Sequence, residues 1–168
     1  MTRALSILQD DLKVGRHVDE DDLHLTLAFM GEVRIEALEE LNVDLEMLRT
    51  GPVPLEITGL DTFGSENPRA LYAAVRPDPT LTALRKKLST SVRGAGIDLP
   101  HSRFIPHVTI ARFPNRMPPE DHAKLGRYLE THGGFALDPM VIESVALIQS
   151  RLYEDGARYD ILAEYPLS

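Results

Sequence analysis

Two short segments carry the residues best suited to chemistry. The first is Leu23-His24-Leu25-Thr26-Leu27-Ala28-Phe29. The second is Pro106-His107-Val108-Thr109-Ile110-Ala111-Arg112. Each reads His-apolar-Thr-apolar-Ala, and the histidines stand 107 − 24 = 83 residues apart, about half of the 168-residue chain. An imidazole gives or takes a proton near neutral pH. A pair of them can therefore serve one displacement as general acid and general base. Two threonine hydroxyls can donate to a phosphoryl group held between the imidazoles. A single His-x-Thr on a strand is ordinarily structural. Two copies with the same apolar interleaving suggest a duplicated unit instead. A metal site is the competing reading of the same residues. Zinc generally takes three protein ligands or more, and His101 is the nearest candidate to join His24 and His107. His-x-Thr itself supplies no third ligand, so no metal is expected.

Strand periodicity gives the match a geometry. Residues 23–29 alternate, which places His24, Thr26 and Ala28 on one face and Leu25, Leu27 and Phe29 on the other. Residues 104–113 place His107, Thr109 and Ala111 together, opposite Val108 and Ile110. Strict alternation puts Arg112 on the wrong face for these polar groups. It joins them only if the strand ends or twists there.

The rest of the chain must position these two strands. Leucine spacing predicts helices over 3–12 and 35–48, and a third from a Thr80 cap to about 93. A Pro118-Pro119 start predicts a fourth, ending near Gly133. Strands are expected over 53–60, 70–75, 140–152 and 158–164, the last two joined by a turn at Asp155-Gly156. Neighbouring strands often lack a long helix between them, which favours α+β over a doubly wound sheet. No glycine-rich phosphate loop follows a strand.

Composition narrows the function. The net charge of −8 argues against tight nonspecific binding of long nucleic acid. Arginine supplies 14 of the 18 basic residues, which suits a local phosphate site. Cysteine is absent, so disulfide scaffolds and thiolate metal sites are excluded. No apolar run approaches the ~20 residues of a membrane span, and no signal sequence is evident. A cytoplasmic, monomeric protein without cofactor is the expectation.

The ordered set of motifs resembles a family, the two-histidine (2H) phosphoesterases, and within it the bacterial RNA 2′,3′-cyclic phosphodiesterases, also named 2′-5′ RNA ligases. The resemblance rests on His24-Leu25-Thr26-Leu27 and His107-Val108-Thr109-Ile110. It extends to Asp22-Leu23, Phe29-Met30-Gly31-Glu32, Phe104, Pro106 and Ala111-Arg112. Asp61-Thr62-Phe63-Gly64, Pro68-Arg69-Ala70-Leu71-Tyr72, Tyr159 and Tyr165-Pro166-Leu167 also fit, so nearly the whole chain is covered.

This resemblance implies one bilobal α+β domain over residues 1–168, with a duplicated unit, antiparallel sheets lining a central cleft and helices outside. It implies metal-independent hydrolysis of an RNA or nucleoside 2′,3′-cyclic phosphate to a 2′-phosphate, and 2′-5′ ligation of tRNA halves. Carried over by position, His24 is the proton donor and His107 the proton acceptor. Thr26, Thr109 and Arg112 bind the phosphate. Two departures stand out. Ile105 replaces a residue that relatives often have basic. The opening strand of relatives is also expected to be missing, because the 23 residues before His24 hold a helix but no such strand.

Other candidates keep two readings. Tyr72 and Phe63 either stack on a base or pack in the core. Arg103 and Arg116 either form a basic rim or are simply solvated. His17, His122 and His132 are expected to be exposed. The alternative functions are another 2H activity, on ADP-ribose cyclic phosphate or a 2′-5′ oligonucleotide, and a noncatalytic RNA or nucleotide binder.

Overall fold

Asp78 starts the longest helix: its carboxylate accepts from the backbone N–H groups of Thr80 and Leu81, and Pro79 takes the first turn. Thr80, expected as the cap, lies inside the helix. The computed structural model describes residues 1–101, 103–154 and 156–168. The elements are α1 (Thr2–Asp10), β1 (Arg16–His17), a 3-10 turn (Glu20–Asp22), α2 (Ile35–Glu46), β2 (Val53–Phe63) and β3 (Ala70–Val75). There follow α3 (Pro79–Gly94), β4 (His107–Arg112), α4 (Pro119–His132), β5 (Leu137–Ile142), β6 (Ser144–Tyr153) and β7 (Gly156–Pro166). The class is α+β, as the strand connections indicated.

Three expectations are corrected. Residues 23–29 form no regular strand; they make one isolated antiparallel bridge, Leu25 to Val108. Phe29, assigned to an apolar face, is 71% exposed. The strand expected over 140–152 is two strands, β5 and β6, separated at Glu143. The predicted turn at Asp155-Gly156 falls partly outside the described residues.

The chain divides into two units, each built from three segments. Unit 1 comprises Met1–Thr26, Glu56–Arg76 and Ile105–Pro139, and unit 2 comprises Leu27–Leu55, Pro77–Phe104 and Met140–Ser168. A five-stranded sheet runs in the order β1-β4-β3-β2-β5, and β1, β3 and β4 lie wholly in unit 1. The pairings β1–β4, β4–β3 and β3–β2 are all antiparallel. One face of this sheet is apolar: Leu71, Ala73, Val108, Ile110 and Ala111 are each fully buried. The helix face of α1, with Leu5 and Leu8, is buried too, and α1 packs on β4. Tyr128 of α4 donates from its hydroxyl to the Leu8 carbonyl at 3.0 Å. In unit 2 α2 packs against α3, with Leu41, Leu45, Leu84 and Leu88 of the two helices buried, and the unit carries the β6–β7 hairpin.

Gly15 turns the chain from α1 into β1. Its φ of +76° is one that side-chain-bearing residues avoid. A Cβ there would sit 2.5 Å from the Phe113 ring and 2.8 Å from the Arg112 carbonyl oxygen. Glycine thus lets β1 close against the end of β4. Among the described residues, no helix is long and apolar enough to cross a membrane.

Candidate active site

All five residues singled out in the two motifs fall in unit 1. The bridge between Leu25 and Val108 joins repeat-equivalent positions, since 25 + 83 = 108. An antiparallel bridge has a local twofold axis at its centre. That axis relates His24 to His107 and Thr26 to Thr109. The register it sets places His24 across from Thr109, and Thr26 across from His107. The bridge thus sets the two motif segments side by side in antiparallel order.

The two imidazoles are held alike. His24 Nδ1 lies 2.6 Å from the Asp22 carbonyl oxygen, and His107 Nδ1 lies 2.6 Å from that of Ile105. A carbonyl only accepts, so Nδ1 carries a proton and donates in both cases. Each Nε2 is then a lone-pair acceptor in the neutral ring and an N–H donor in the cation. Both rings can therefore act as acid or base through the same atom. Ile105 contributes its backbone carbonyl to this arrangement.

Arg112 corrects the alternation argument. Along β4 and β3, Ala74 pairs with His107, Ala73 with Val108 and Tyr72 with Thr109, but the next pair is Leu71 with Ala111. Ile110 is the extra residue of a β-bulge. Paired residues share a face, so the bulge moves Ala111 to the buried side and returns Arg112 to the face of His107 and Thr109. The inserted Ile110 is itself fully buried. The sequence carried no glycine or proline to mark this bulge. Arg16 pairs with Arg112 across β1 and so lies on the same face. Sequence reading missed it, because two residues of strand are too short to show a period.

Behind these groups stand aromatic rings. Phe63 stacks on Tyr72 at 4.2 Å between centroids, and both rings meet His107 edge-on, at 4.8 and 5.3 Å. Tyr72 is 6% exposed and its hydroxyl donates to Asp61 Oδ2 at 3.3 Å. Burial, and then the Asp61 charge, push the Tyr72 phenol above its ordinary pKa, so it stays a donor. Tyr72 therefore belongs to the packing that holds His107. Beside the first motif, burial and the neighbouring Asp19 raise the Asp22 carboxyl, with His24 opposing.

The remaining candidates lie elsewhere. His17 is in β1, with Nε2 3.0 Å from the Leu12 carbonyl oxygen. His132 is half-buried, against the expectation of exposure, with Nε2 3.5 Å from Asp11 and its ring 4.7 Å from that of Tyr128. His122 is half-buried as well. His101, Arg103 and Arg116 are exposed. Among the described residues, no three His, Cys, Asp or Glu side chains gather to hold a metal ion.

Known proteins resemble this chain in both sequence and fold. The sequence model of the 2′-5′ RNA ligase superfamily matches residues 10–154. A protein of Aquifex aeolicus named RNA 2′,3′-cyclic phosphodiesterase is 29% identical over 163 residues, covering 94% of this chain and 85% of its own. One of Geobacillus stearothermophilus with the same name is 34% identical over 98 residues, 56% of this chain and 31% of its own length. Among solved structures, Escherichia coli LigT complexed with 3′-AMP superposes with a TM-score of 0.78 at 22% identity, covering 99% of this chain and 91% of that one. A Thermus thermophilus protein superposes at 0.80 with 24% identity, over the same shares of the two chains. The fold is theirs, and the family match spans both His-x-Thr motifs: the chain belongs to the 2′-5′ RNA ligase superfamily.

Proposed function

We propose that the protein hydrolyses the 2′,3′-cyclic phosphate end of an RNA or nucleoside to a 2′-phosphate. The observation that carries this is the Leu25–Val108 bridge, which sets the two His-x-Thr motifs side by side, with each imidazole held through Nδ1 by a main-chain carbonyl. Two imidazoles and two hydroxyls in paired segments suit acid–base work on one phosphate. The names of the Aquifex aeolicus and Geobacillus stearothermophilus relatives support the same substrate.

In this reading water attacks phosphorus and His107 Nε2 takes its proton. The P–O3′ bond breaks, and His24 Nε2–H protonates the departing oxygen. The product keeps the phosphate on O2′ and gains a 3′ hydroxyl. Thr26 and Thr109 donate to the non-bridging oxygens, and Arg112 offsets their charge, a guanidinium fork being suited to phosphate. The assignment of acid to His24 and base to His107 follows the family resemblance; the rings themselves are held alike. If a 5′-hydroxyl of a second RNA replaces water, the same steps join the strands by a 2′-5′ linkage, and tRNA halves are substrates of that type. No step requires a metal ion or cofactor.

The test is incubation of 2′,3′-cyclic AMP with the protein in excess chelator, resolved by HPLC. Formation of 2′-AMP is expected. Unchanged cyclic nucleotide, or 3′-AMP as product, would overturn the reading.

A further inference from the structure

Gln9 is one of two buried polar side chains among the described residues, at 4% exposed. It sits on α1, away from both motifs in sequence. Its Nε2 lies 2.7 Å from the Val18 carbonyl oxygen and 2.6 Å from that of Ile110. The amide has two hydrogens, so it donates one to each. These two carbonyls are not arbitrary. Ile110 is the bulge residue that returns Arg112 to the face of His107 and Thr109. Val18 follows β1 and leads through the turn Glu20–Asp22 to His24, whose Nδ1 the Asp22 carbonyl holds. The Ile110 carbonyl also accepts from the Val18 N–H at 3.0 Å. One buried amide thus pins both arms of the site at the point where β1 leaves β4.

We infer that Gln9 is a positioning residue: it fixes the bulge at Ile110, and through it the placement of Arg112 relative to the two motifs. The inference rests on the catalytic reading above. A buried amide bonded to two main-chain carbonyls ties the two strands together: without it the Val18 carbonyl loses this donor, and the Ile110 carbonyl is left with the Val18 N–H alone. Its loss lets the two strands shift, and misplacement by about 1 Å costs up to about 100-fold in rate.

The experiment is a double-mutant cycle between Gln9 and Arg112, read on 2′,3′-cyclic AMP hydrolysis and on calorimetric binding of 2′-AMP. Gln9→Met keeps length and burial but donates nothing. In the wild-type background it is expected to lower kcat/KM by roughly 10- to 100-fold and weaken 2′-AMP binding. In an Arg112→Ala background the same change is expected to cost less than about threefold, because the residue it acts through is gone. A structural role alone lowers the melting temperature equally in both backgrounds and leaves kinetics untouched or additive. Additive effects, or unchanged kcat/KM in folded Gln9→Met, overturn the inference. If Gln9→Met does not fold, Gln9→Leu, which likewise cannot donate, decides by the same cycle. Failure of both to fold assigns Gln9 to stability and overturns it as well. Wild-type protein that turns over no substrate refutes the proposed function, while the 2′-AMP binding cycle still judges Gln9.

Discussion

Replacing each threonine by valine probes the site with the least disturbance. Thr26 is exposed and Thr109 half-buried, so valine leaves no stranded polar partner within the protein. It keeps the β-branched shape that suits the pleated surface beside Tyr72. Stability should therefore change by less than about 0.5 kcal/mol. Binding is different. In the proposed mechanism each hydroxyl donates one hydrogen bond to an anionic phosphate oxygen, worth ~1.5–3 kcal/mol because the acceptor is charged. At ~1.4 kcal/mol per tenfold, each variant should lose roughly 10- to 150-fold in kcat/KM. Much of this loss should appear in KM, since the phosphate is bound before the transition state as well as in it. The matched roles proposed for the two hydroxyls make the two losses comparable. The assay is steady-state hydrolysis of 2′,3′-cyclic AMP, with thermal melts to check the fold. Kinetics within twofold of wild type in both variants would refute the placement of the hydroxyls on the phosphate.

The imidazoles should be far more costly to remove. His24→Ala and His107→Ala should each lower kcat by ~10²–10⁴, the usual worth of a positioned proton transfer, and retention of a tenth of wild-type turnover by either would contradict the paired scheme. The Nδ1 contacts predict that neutral His24 and His107 both carry their proton on Nδ1, which ¹⁵N chemical shifts will show directly. Gly15→Ala should destabilise by about 1–3 kcal/mol, through its positive φ and the close approach of the Arg112 carbonyl oxygen, and a denaturant midpoint shift measures it. Burial, with Asp11 nearby, pushes the Tyr128 phenol up to about 12. The folded state thus holds its proton where the unfolded chain has lost it. That contribution is complete below about pH 10 and fades as pH rises towards 12, by about 3 kcal/mol in all. Tyr128→Phe should flatten this alkaline decline while costing about 1 kcal/mol at neutral pH for the lost bond to Leu8. An unchanged alkaline slope would remove Tyr128 as its cause.

Much of this protein was legible from residue order. The repeat of His-apolar-Thr-apolar-Ala located both motifs, because side chains on an extended chain alternate faces whatever surrounds them. Leucine spacing located the first three helices, because a helix must bury one stripe, and a proline start located the fourth. The 83-residue offset matches the bridge between Leu25 and Val108. What the sequence could not determine depends on pairing between distant segments. Residues 23–29 look like a strand, yet only Leu25 finds a partner; pairing is decided by which backbone lies alongside. Arg112 looked misplaced, because counting by twos cannot see a bulge. The extra residue, Ile110, exists only relative to the partner strand β3, and its burial is what keeps it there. Arg16 and Gln9 carried no local signal at all. Each acquires its place from a neighbour about 100 residues away in sequence, Arg112 and Ile110 respectively. Composition and periodicity act along the chain, and so they name the chemistry. Register and buried hydrogen bonds act across it, and only the folded structure sets where that chemistry points.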